Sequence, residues 1–231
     1  MGISLTIKNT NSTTSLFKSM DTTIFDLETA SLDREQILLE AEPFDPESVK
    51  TGNIKDPEIK AAKKRDAMNA YYQGILDRAA LDARTGKVLC AGFYYPHKNE
   101  YSILEGAEIE VLTGLWLHLK YQEKHVGFNI LGFDLPFAVR RSWHLGVPVP
   151  VWVFNGRYFA SNFVDLMKYW QLGDNHDYIS LDRFAKFVGL KGKSHDSKDF
   201  GALYAKDHDD AIEYVKNDLC LTADIARRLM V

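Results

Sequence analysis

Cysteine, net positive charge and long apolar runs are all scarce in this sequence. Only Cys90 and Cys220 occur among its 231 residues. One falls in an apolar, strand-like run and the other in a helix-like run, which argues against a disulfide scaffold and fits reduced thiols in a cytoplasm-type compartment. No stretch reaches the roughly 18 consecutive apolar residues of a membrane span, so no membrane partner is expected. The first twenty residues are rich in Ser, Thr and Asn and lack the basic start and apolar run of a secretory signal. A soluble, cytoplasmic protein is the expectation. The formal charge of −4 offers no global attraction for a polyanion, so any nucleic acid must be held by local basic patches or by bound metal. That disfavours a sequence-scanning DNA binder. The histidines show no metal-ligand spacing, and His176, His195 and His208 are expected at the surface. Internal repeats, low-complexity tracts and a clear interdomain linker are also absent.

What is present is enough apolar residue, 45% of the chain, to bury one substantial core. Residues 1–20 alternate weakly at Ile3, Leu5 and Ile7, which suits an edge strand or a flexible leader. Residues 22–27 are β-branched and aromatic, as a buried strand requires. An acidic segment with two prolines follows. Asp56 and Pro57 then mark the start of a helix over 58–83, inside a helical insertion at about 33–84. Strands are expected at 88–95, 101–104 and 125–130. Helices are expected at 107–122, 135–145, 164–170, 181–188, 200–204 and 209–230, with Gly146 and Pro148 ending the second. Strands first and helices last, with a helix between the third and fourth strands, give an α/β class with a mixed sheet covered by helices.

Three short motifs carry carboxylates. In Asp26-Leu27-Glu28 the two acids sit two apart on a strand and share a face, where they repel unless a cation neutralises them; the bland alternative is an exposed strand end. Asp134 follows Asn129-Ile-Leu-Gly-Phe133 and opens a helix, so it is either an N-cap or, given its apolar flanks, a buried acid in need of a partner or a metal. Tyr214 and Asp218 lie four apart on the last helix and face one way. Read blandly, they are a core aromatic and an acid paired with a lysine.

The order and type of these motifs resemble the DEDD superfamily of 3′-to-5′ exonucleases, which has a ribonuclease H-like fold. The likeness spans residues 22–224. Tyr214, four before Asp218, matches the tyrosine subclass; the histidine subclass is not matched, because Glu213 occupies the position five before that acid. Within the superfamily the chain looks most like the proofreading exonuclease domains of family B DNA polymerases and related stand-alone exonucleases. Residues 25–29, 127–129, 181–185 and 189–193 support this. It departs from them in the long segment 33–84, and no polymerase domain is expected within these residues.

The resemblance implies hydrolysis of phosphodiester bonds from the 3′ end of single-stranded DNA, in one domain over 21–231. Asp26, Glu28, Asp134 and Asp218 would hold two divalent cations, Mg2+ or Mn2+, and Tyr214 would orient the attacking water. Leu27, Thr29, Asn129, Phe133 and Lys193 would meet the substrate, although Asn129 and Phe133 also suit loop anchoring and core packing. Two lysine-rich stretches, at 55–65 and 186–198, could steer phosphates or be solvated faces. Competing readings are an RNA-directed exonuclease with the same acids, a silent nucleic-acid binding module and a metal-stabilised structural domain.

Overall fold

The computed structural model describes residues 22–120, 123–193 and 199–231. The weak alternation at residues 3–7 therefore lies outside the described residues, as does His195. Five strands form one sheet in the order β3-β2-β1-β4-β5. They are β1 (Thr22–Ser31), β2 (Gly86–Tyr95), β3 (Glu100–Glu105), β4 (Lys124–Gly127) and β5 (Phe163–Asp165). β2 runs antiparallel to both of its neighbours, β1 and β3, while β4 and β5 run parallel to β1. This is the mixed, helix-covered α/β sheet expected from the sequence.

Helices α1 (Arg34–Glu40) and α2 (Pro57–Leu76) lie between β1 and β2, and α3 (Glu108–Lys120) between β3 and β4. After β4 come α4 (Asp134–Leu145), α5 (Leu166–Gln171), α6 (Leu181–Phe187), α7 (Phe200–Lys206) and α8 (His208–Leu229). Asp56 caps α2 by accepting from the amides of Glu58 and Ile59, as its place before Pro57 predicts. The helix expected over 58–83 is shorter, ending at Leu76 and giving way to a single 3-10 turn at Ala79–Leu81. The helix expected at 164–170 is also corrected. Phe163, Val164 and Asp165 pair with β4 as a fifth strand, and the helix starts only at Leu166.

Alternation along β1 divides two cores. Phe25 and Leu27 face the cluster built with α3 and α4, while Ile24 faces the cluster built with α8. Asp26 and Glu28 share the parity of Ile24 and so point toward α8. Directly across the ladder from Asp26 stands Gly92. A Cβ there would come within 2.5 Å of Val215 Cγ1 and 3.0 Å of Leu219 Cδ1, so the missing side chain is what lets α8 lie close to the sheet. On the opposite face, Arg141 of α4 forms a two-pronged pair with Glu108 of α3 at 2.7 and 2.8 Å. The same Glu108 accepts from the Val88 amide, and Arg141 reaches the Ala83 carbonyl. Both groups are largely buried, and together they fix the base of α4 against the sheet.

Candidate active site

Strand β1 ends in an irregular register. The ladder with β2 slips between Glu28 and Thr29, a bulge of the kind that re-aims side chains at the end of a pairing. Above this point α8 brings in Asp218. Ligand oxygens of Asp26, Glu28 and Asp218 all lie within 4.8 Å of one another. Asp134 joins from the start of α4: its Oδ1 accepts from the Leu27 amide, between Asp26 and Glu28, at 2.9 Å.

That bond settles the local role of Asp134. It is the first residue of its helix; Phe133 occupies the capping position and makes no side-chain cap. The carboxylate instead reaches across to β1 from a buried position. Asp26 and Glu28 are half-buried, and Asp218 is buried.

Crowding four acids away from water disfavours their charged forms. Burial, reinforced by Asp218, pushes the Asp26 pKa up to about 7. Glu28 is held well above the usual carboxylate range by burial and then by Asp26, and Asp134 likewise by burial and Asp26. Among the described residues, Lys193 sets a cation against this charge. Lys193 Nζ lies 2.5 Å from Asp218 Oδ2 and 3.1 Å from the Tyr214 hydroxyl, and 4.9 Å from the centre of the Tyr214 ring. Tyr214 is buried against Phe200. Burial, helped by Asp218, pushes its phenol up to about 12, so it stays protonated at neutral pH.

No protein-family model matches this sequence, and no curated protein does. Among solved structures the chain is similar to a family B DNA polymerase from the hyperthermophilic archaeon Pyrobaculum calidifontis. The TM-score is 0.56 at 18% identity, over 92% of this chain and 25% of that one. The fold is ribonuclease H-like. The chain spans about a quarter of the length of the polymerase it matches, and at this identity the likeness concerns the fold.

The five residues expected to touch a substrate fall in different settings. Phe133 lines a cavity of about 470 Å³ next to Glu28 and Thr29, with its ring packed on Phe137. Thr29 gives its hydroxyl to the Ala80 carbonyl. Leu27 lies mainly in the core, and its amide is committed to Asp134. Asn129 adopts a left-handed backbone, φ 61°, and its side-chain oxygen lies over Gly132. Lys193 reaches the acids themselves.

Asp165 is a residue that the sequence reading missed. Its buried carboxylate accepts from the amides of Asn129, Leu131 and Met167 at 2.7 to 2.9 Å, so it both caps α5 and ties down the loop leading to Asp134. The available signal was an acid directly after the apolar pair Phe163-Val164 and before a helical run.

Elsewhere the basic clusters have local partners. Lys63 donates to the Lys50 carbonyl, Lys64 pairs with Glu47, and Lys186 pairs with Asp182. His176 is exposed; His208, also exposed, bonds Glu105. Both cysteines are free thiols. Among the described residues no helix is long and apolar enough to cross a membrane.

Proposed function

We propose that this chain is a metal-dependent exonuclease that removes nucleotides from the 3′ end of single-stranded DNA, with two divalent cations held by Asp26, Glu28, Asp134 and Asp218. The observation that carries this reading is the meeting of Asp26 and Glu28 of β1 with Asp218 of α8, their ligand oxygens within 4.8 Å of one another, with Asp134 of α4 bonded to the Leu27 amide between the two β1 acids. An all-oxygen, carboxylate-rich donor set suits hard cations such as Mg2+ or Mn2+. The raised Asp26, Glu28 and Asp134 pKa values are what such a set shows when no cation balances it. The polymerase neighbour adds support at the level of fold, and the tyrosine-subclass motifs supply the chemistry.

Bound cations would lower the pKa of a coordinated water and neutralise charge on the attacking and leaving oxygens. The chain's own residues do the positioning. Tyr214, protonated and directed at the acids, orients the water by hydrogen bonding rather than by taking its proton. Lys193 is placed to meet a phosphate oxygen once the acids are otherwise balanced. Phe133 offers a face on which the terminal base stacks, and Asn129, held by Asp165, reaches the terminal sugar. Leu27 and Thr29 form the wall beside Glu28, since the Leu27 amide and the Thr29 hydroxyl already have partners.

The test is a 5′-labelled single strand incubated with the protein and Mg2+ or Mn2+, compared in DNA and RNA versions and with the 3′ end free or blocked. A ladder of shorter labelled products from the free-ended DNA, stopped by EDTA and by Asp26→Ala, is expected. An uncut strand under every metal condition, or full activity in Asp26→Ala, would refute the proposal.

A further inference from the structure

Three cavities adjoin one another along α4. The first, beside Glu28, shares Leu81 and Phe133 with a second of about 430 Å³, which runs past Arg84, Phe137 and Arg140. Arg140 is in turn shared with a third and larger cavity of about 820 Å³. That third cavity is lined by Trp143, Phe154 and Tyr158 together with Arg140, Arg157 and Lys168, and no carboxylate lines it. Trp143 and Tyr158 are 65% and 71% exposed. The groove thus gathers open aromatic faces and three cations without an acid, in a chain of net charge −4. Arg157 already stacks on the Tyr158 ring, its guanidinium 5.4 Å from the ring centre. Trp143 stands nine positions after Asp134 on α4, about 14 Å along the helix axis.

We infer that this groove is the track for the single strand upstream of its 3′ end. Resting on the exonuclease reading, the inference assigns Trp143 and Tyr158 as stacking platforms for bases that are not being cut, and Arg140, Arg157 and Lys168 as their phosphate contacts. Aromatic faces with interleaved cations are what a sequence-tolerant single-strand site needs. The second and third cavities are lined by a single acid, Asp82, which Arg84 pairs at 2.6 Å, so the groove carries unbalanced acids only at its active-site end, where Glu28, Asp77 and Asp199 line the first cavity. The partner is an unpaired polynucleotide, favoured over a protein because the apolar floor of the third cavity is ringed by positive charge alone.

The test is equilibrium binding of a 5′-fluorescein thymidylate oligomer to the full chain in EDTA, followed by anisotropy at several salt concentrations. Cleavage is not needed for this readout, so its outcome is separate from whether the strand is shortened in Mn2+. Trp143→Ala is expected to weaken binding about tenfold, and Arg157→Ala to weaken it and flatten the salt dependence by about one counterion. Both side chains are exposed, so folding is checked simply by circular dichroism. Wild-type protein that binds no oligomer, or folded variants that bind as tightly as wild type, would overturn the assignment. So would a wild-type dimer that Trp143→Ala converts to monomer, which would give the groove to a second copy of the chain.

Discussion

Lys193 Nζ sits 2.5 Å from Asp218 Oδ2 and is the one side-chain cation paired with the acid cluster among the described residues. An ammonium at that oxygen occupies a position that a divalent cation would take, so the two compete. Lys193→Ala should therefore bind Mn2+ about tenfold more tightly in the absence of nucleic acid, the order expected for removing one nearby positive charge in a half-buried setting. Cleavage should slow in the same variant, because Tyr214 loses its partner and the phosphate loses a contact. Calorimetric titration with Mn2+ checks the first half, and weaker metal binding in the variant would contradict it.

The acids also set a dependence on pH. A carboxyl whose folded pKa lies above its unfolded value stabilises the fold below the unfolded value, and that contribution is lost as pH climbs through the folded value. For Asp26 the upper limit is about 7, with Glu28 and Asp134 shifted the same way. Metal-free protein should accordingly lose thermal stability from about pH 4, where an unfolded carboxyl titrates, through about pH 7, where folded Asp26 does, with the loss largely complete by about pH 8. Saturating Mn2+ should restore it most at the higher pH, since binding needs the deprotonated acids. Asp26→Asn should flatten both effects. Melting curves with and without Mn2+ across this range are the check; a Tm indifferent to metal at pH 8 would count against the account.

Asp165 supplies a prediction about positioning. Its carboxylate accepts three amides at once, and without it those donors are left in a buried loop. Asp165→Ala should cost about 3 kcal/mol by urea denaturation and should slow cleavage through the displaced Asn129 and Asp134. A variant as stable as wild type would remove Asp165 from that role.

Gly92 makes the equivalent case for α8. Because any Cβ there would strike Val215 and Leu219, Gly92→Val should push the helix from the sheet, with a loss of about 1–3 kcal/mol and a larger proportional loss of activity, as Asp218 moves away from Asp26. Unfolding and cleavage measured on the same sample check this. Undiminished activity would mean that the helix does not need its close approach.

These positions also show what the sequence makes legible. Asp26, Glu28, Asp134, Tyr214 and Asp218 are readable because each sits in a short local pattern: alternation along a strand, the start of a helix, or a four-residue helical spacing. Four of the five strands and the long closing helix follow from the same periodicities. β5 is not readable, because three residues of Phe-Val-Asp running straight into a helix have no period of their own and are made a strand only by pairing with β4. Asp165 is hidden with it, since its three partners are fixed by the fold rather than by spacing. The approach of Lys193 to Asp218, 25 residues apart, is likewise a tertiary fact, as is the union of Phe133, Arg140 and Trp143 along one groove.

The most direct test of the central claim is a crystal grown with Mn2+ and a short DNA strand, measured at a wavelength where manganese scatters anomalously. The account predicts two manganese peaks about 3.5–4 Å apart, both in contact with the Asp26 carboxylate and enclosed by Glu28, Asp134 and Asp218. Peaks elsewhere on the molecule, or an acid cluster still bridged by Lys193 with no manganese in it, would contradict it.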